Sequence, residues 1–71
     1  MQNYIRKDQT RPEKRLFSLK DTSIYLGRSI NGVREMLHSG KIPFIRDGKR
    51  IFIDVRDLDT WIERSKEKLN Y

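Results

Sequence analysis

Cysteine is absent from the 71 residues, which excludes structural disulfides and thiolate-held metals. Histidine occurs once, as His38, with no Cys or carboxylate at ligand spacing, so a metal or catalytic role ranks last among its readings. No apolar run approaches a membrane span, and the start MQNYIRKDQ carries no apolar signal-peptide core. With four glycines and two prolines there is no glycine-rich loop of the kind that cradles phosphates. No carboxylate pair falls in an expected pocket either, so an enzyme is the least supported class and no cofactor is expected. Only 35% of the residues are apolar, so any core is compact and belongs to one small domain. A cytoplasmic module without a membrane or small-molecule partner fits these absences.

Positive charge is what the chain has in excess. Sixteen basic residues stand against ten acidic ones, a net charge of +6, which suits a nucleic-acid or anionic-surface partner. The excess is uneven: residues 1–15 carry +3, residues 16–53 carry +4, and residues 54–71 carry −1. Residues 1–15, MQNYIRKDQTRPEKR, show no sustained period and read as a flexible basic arm. Two readings of the arm stay open. It is a solvated tail, or its Arg6, Lys7, Arg11, Lys14 and Arg15 track phosphates or enter a minor groove.

The folded domain is expected over residues 16–71. Ser18 followed by Asp21 resembles a capping box, predicting a helix over Leu19–Leu26 with Leu19, Thr22, Ser23 and Leu26 inward. Gly27 can supply the positive φ that ends it. Ser29 is an N-cap and Gly40 a terminating glycine for a second helix. In it Ile30, Val33, Met36 and Leu37 fall on one face, with Asn31, Glu35 and His38 opposite, flanked by Gly32 and Arg34. Two short helices around a glycine turn form a helix-turn-helix pattern.

Two β-prone runs follow, Ile42–Arg46 and Arg50–Ile53, with Asp47-Gly48 between them as a hairpin tip. Asp54 then caps a third helix expected over Val55–Leu69, with Val55, Leu58, Ile62, Ser65 and Leu69 inward and Trp61 beside them. Helix-turn-helix, β-hairpin wing and C-terminal helix make a small α+β winged helix-turn-helix domain.

Leu16–Glu63 resembles the winged-helix domain of the excisionase family, which is related to MerR-type DNA-binding domains. The matching segments are FSLKD, YLG, S-x3-V in the second helix, SGKIP, the hairpin IRDGKRIFI and DLDTWI, in family order. The chain departs from the family at Thr22 and Ser23, where two alanines are usual, which makes the first helix more polar. The resemblance implies an architectural factor that binds several adjacent sites on double-stranded DNA and bends it. Such a factor helps an integrase, a tyrosine recombinase, excise a phage or other mobile element, and it catalyses nothing itself. Two other classes stay open. One is a small AlpA-like or MerR-like transcription regulator on the same fold, and the other is a protein-binding adaptor.

Groove dimensions then assign roles. The major groove admits one α-helix and shows a distinct pattern at each base pair, so the second helix is the expected reader. Asn31 suits adenine and Arg34 suits guanine, while Arg28 and Ser29 sit where a helix N-terminus favours phosphate. Gly32 marks either a loosely formed helix start or close approach to the sugar–phosphate chain. Glu35 orients a neighbouring arginine or accepts from a cytosine amino group. His38 reads first as a surface residue favoured by the helix dipole and second as a phosphate contact. Arg46, Lys49 and Arg50 are expected to project from the wing tip, with Lys41 as one more phosphate contact. Residues from Trp61 to Tyr71 are a candidate protein–protein surface, although Trp61 reads more simply as core.

Overall fold

The structure, a computed structural model, describes residues 14–69. Most of the basic arm, including Arg6, Lys7 and Arg11, and the terminal Tyr71 lie outside the described residues. The elements run β1 (Leu16–Phe17), α1 (Leu19–Leu26), α2 (Ile30–His38), β2 (Ile45–Asp47), β3 (Arg50–Asp54) and α3 (Val55–Ser65). The strands form one antiparallel sheet in the order β1-β3-β2. This is the α+β winged helix-turn-helix that the sequence suggests.

Each helix starts where a short polar side chain satisfies backbone N–H groups that lack a partner in the first turn. At α1 the capping box is complete: Ser18 Oγ accepts from the Asp21 N–H at 3.0 Å, and Asp21 accepts from the Ser18 N–H at 3.1 Å. Ser29 caps α2 by accepting from the Gly32 N–H at 3.0 Å, and Asp54 caps α3 by accepting from the Arg56 N–H at 2.9 Å. Helices α1 and α2 end alike. After α1, the Gly27 N–H donates to the Ile24 carbonyl and the Arg28 N–H to the Ser23 carbonyl. After α2, Gly40 donates to Leu37 and Lys41 to Met36. Both are Schellman endings, which require a left-handed residue, and Gly27 (φ 70°) and Gly40 (φ 78°) supply it.

The core joins α2, β3 and α3. Val33, Met36, Leu37, Ile42, Ile53 and Leu58 are buried, with Phe17, Leu19, Leu26, Ile51 and Trp61 packed around them. Thr22 is buried among these apolar groups with its hydroxyl satisfied, donating to the Ser18 carbonyl at 2.8 Å. The polar departures of α1 are therefore accommodated: Thr22 closes a bond within its own helix, and the Ser23 hydroxyl donates to the Arg28 carbonyl across the interhelical turn.

Four expectations are corrected and one element is added. Helix α3 ends at Ser65, with Lys66 extended (ψ 138°) and Leu69 79% exposed, so Ser65 and Leu69 do not join its inner stripe. The first hairpin strand begins at Ile45. Ile42 sits outside the sheet and plugs the core from the connection after α2. The hairpin loop is Gly48-Lys49, because Asp47 pairs with Arg50 as the last rung of the ladder. A two-residue loop that twists with its strands needs positive φ at its first position, and Gly48 provides it (φ 64°). Ile30 is 39% exposed and lies at the edge of its helix's apolar face. Strand β1 is additional, pairing Leu16 with Asp54 and Phe17 with Ile53.

Candidate nucleic-acid interface

Helix α2 is amphipathic in the way a groove-reading helix requires. Val33, Met36 and Leu37 anchor one side in the core, leaving Asn31, Arg34, Glu35 and His38 exposed on the other. Its first turn is fixed by the Ser29 cap, and that cap explains Gly32. A Cβ at Gly32 would lie 3.2 Å from Ser29 Oγ, so the bare residue leaves room for the capping hydroxyl. Arg28 lies in the turn before the helix, with its guanidinium 6.0 Å from the centre of the Trp61 ring. That distance is within cation–π range. Trp61 is half-buried against the core, so α3 sets where Arg28 can reach.

The wing divides its cations. In the ladder Arg46 stands opposite Ile51, and Asp47 opposite Arg50. Neighbouring rungs point to opposite faces, so Arg46 and Arg50 do not share a face. Arg46 lies over Phe44, 5.9 Å from the ring centre, while Lys49 occupies the loop itself. The cluster of three expected at the tip is thus one residue on each face and one at the apex.

Two surface depressions flank α2. One, of about 460 Å³, runs between α1, α2 and the wing; Arg34 from α2 and Arg50 from β3 line it together, with Lys20 from α1. The other, of about 250 Å³, lies on the opposite flank and is lined by Arg28, Gly32, Glu35 and Lys41. The structure therefore brings Arg34 and Arg50 into one groove and puts Arg28, Glu35 and Lys41 into the other. Lys20 and Ile30, both on the wing-side groove, were not among the expected site residues. Each is an ordinary member of its helix in the sequence, and only the packing of α1 beside the wing reveals it.

Lys14 and Arg15 are held by acids. Lys14 Nζ lies 2.6 Å from Asp21, and Arg15 binds Asp54 through Nε at 3.1 Å and Nη2 at 2.9 Å. The Arg15 carbonyl also accepts from the Val55 N–H at 2.9 Å, which ties this segment to the start of α3. Arg15, with the Arg56 backbone N–H second, lowers the Asp54 carboxyl below its ordinary value. Lys14, with the Ser18 N–H second, lowers Asp21 in the same way, and Asp54 raises Arg15. Asp21 and Asp54 cap helices, so these two cations brace the caps. No group of His, Cys, Asp and Glu among the described residues could hold a metal ion, and no described helix is long and apolar enough to cross a membrane.

A family model described as a helix-turn-helix domain matches residues 16–66, well over half of the chain. No curated protein and no solved structure gives a significant match.

Proposed function

The chain belongs to the helix-turn-helix domain family, a DNA-binding family, and from that premise we propose that it is a sequence-specific double-stranded DNA-binding protein of the excisionase kind. Helix α2 enters the major groove with Asn31 and Arg34 reading base edges. Arg28, Ser29 and Lys41 contact phosphates beside it, Gly32 keeps the helix start free of side-chain bulk, and Glu35 orients the neighbouring cations. Lys49 and Arg50 follow the adjacent backbone or minor groove. Arg46 contributes from the wing's other face, and His38 borders the reading face. One observation carries this reading: Arg34 of the second helix and Arg50 of the wing line the same groove, side by side as one duplex would require.

Magnitudes bear on mechanism. A module of this size covers about 600–1,000 Å² of protein surface on DNA, so one copy is modestly selective. Firm occupancy then calls for several copies on adjacent sites, or for a partner such as a tyrosine-recombinase integrase. Bending a short site costs on the order of 1–6 kcal/mol, which shared contacts can offset. The protein acts as an architectural factor that directs recombination towards excision of a mobile element. A transcription regulator would use the same contacts, so the test compares two targets. Gel shifts with the element's attachment-site DNA and with the protein's own promoter, paired with an excision assay, separate the two roles. Binding at the attachment site with stimulated excision supports the recombination role; binding at the promoter alone, without effect on excision, assigns the chain to regulation. An adaptor would keep its protein partner when Arg34, Arg46 and Arg50 are reversed to Glu, whereas the DNA binder loses its duplex.

A further inference from the structure

The wing-side groove holds more than the Arg34 and Arg50 pair that the helix-and-wing reading uses. Its rim carries three cations from three elements, Lys20 of α1, Arg34 of α2 and Arg50 of β3. No acidic residue lines it. The rest of its lining is Ser18 and the apolar Leu19, Ile30, Ile51 and Phe52, and Ile30 stays 39% exposed although it stands on the core side of its helix. The opposite flank differs, since Glu35 stands among its cations and Arg28 is drawn towards Trp61.

We infer that this groove seats the sugar–phosphate backbone of one DNA strand, with Lys20 as a phosphate-holding residue contributed by the first helix. The inference rests on the DNA-binding reading above and deepens it. A backbone strand presents alternating chemistry, anionic phosphates and apolar deoxyribose faces. A cationic rim with an aliphatic and aromatic lining complements both. The N-terminus of α1 is not the attraction: Ser18 Oγ already accepts from the Asp21 N–H, and the Asp21 carboxylate sits in its first turn. The attraction comes from the side chains. Helix α1, which carries Lys20, packs against both α2 and β3, which carry Arg34 and Arg50, so the strand passes beside α2 while the helix face reads bases. Phosphate contacts of this kind fix register and orientation without adding sequence information.

The test uses the full chain, a short fluorescein-labelled mixed-sequence duplex and anisotropy over a potassium chloride series. The variants are Lys20→Gln and, as a charge-loss control, Lys66→Gln, whose lysine pairs with Glu63 after α3; circular dichroism checks that both fold. Lys20→Gln is expected to weaken binding equally across duplex sequences. The affinity lost between about 50 and about 200 mM salt should shrink by about 3.5-fold, the share of one phosphate. Lys66→Gln should match the wild type in both respects. A neutral methylphosphonate, placed singly along the duplex, should weaken the wild type at one position where it leaves Lys20→Gln unaffected. Wild-type duplex binding indifferent to Lys20→Gln overturns the seat and leaves the helix-in-groove reading standing. No duplex binding by the wild type overturns both. Poly-glutamate bound through Lys20 and not displaced by duplex would assign the groove to an acidic polypeptide and overturn the proposal.

Discussion

At Gly32 two local preferences meet. A glycine inside a helix is less stable than alanine by roughly 0.5–1 kcal/mol, yet a methyl group there would crowd the Ser29 hydroxyl at 3.2 Å. Ser29→Ala should cost about 0.5–2 kcal/mol for the lost cap. Gly32→Ala should therefore stabilise by about 0.5–1 kcal/mol in the Ser29→Ala background, and by less in the wild type. Urea denaturation of the four proteins measures this, and equal effects in both backgrounds would remove the hydroxyl as the cause. Acid titration tests a second residue-scale arrangement. Asp54 and Asp21 have lowered carboxyl values when folded, so the unfolded chain binds more protons and stability rises with pH through that range. Their contribution is fully present above the ordinary value of 3.8 and disappears as pH falls through the lowered folded values. Arg15→Gln removes the largest cause at Asp54, so its stability should fall less steeply on acidification, with the Asp21 part unchanged. An acid limb as steep as the wild type's would show that Arg15 does not hold Asp54 down.

Elements were legible in the sequence where one or two neighbouring residues decide them. Ser18 with Asp21, Ser29 and Asp54 mark the helix starts, and Gly27 and Gly40 the ends of α1 and α2, because capping is local chemistry. Long-range decisions were not legible. Strand β1 has two residues, too few for a period to show, and exists only because β3 offers Ile53 and Asp54 as partners. The hairpin loop lies one residue later because Asp47 pairs with Arg50, which puts Gly48, with its positive φ, at the first loop position. The apolar spacing of α3 runs on to Leu69, but nothing in the fold is there to receive it. Leu69→Ser should accordingly change stability by less than about 0.5 kcal/mol. Leu58→Ala, at a fully buried position, should cost about 2–5 kcal/mol and leave this small core largely unfolded. In the wing, Gly48→Ala must adopt a left-handed conformation and should cost about 1–2 kcal/mol, with Gly48→Asn milder; equal stability of Gly48→Ala and wild type would contradict the loop geometry.

Across the whole molecule, the basic character divides into parts with different work. Lys14 and Arg15 brace helix caps, Arg28 leans on Trp61, and Lys20, Arg34 and Arg50 converge on one groove. The exposed polar face of α2 was visible in the sequence because it repeats at helical spacing. The groove was not, because its three cations come from elements whose adjacency only the fold creates. Asn31→Ala is expected to cost about 1–3 kcal/mol on a preferred site and to relax the choice of one base pair. With about five or six phosphates engaged, the plot of log affinity against log salt should have a slope near −5. The claim underneath these expectations is that α2 and the wing address one duplex from one side. Amide shift mapping during titration with a short duplex tests it most directly. The largest changes should fall on Arg28 to His38, on Lys41, Lys49 and Arg50, and at Lys20, with residues 62–65 of α3 little affected. Changes confined to α3, or to α2 without the wing, would contradict it.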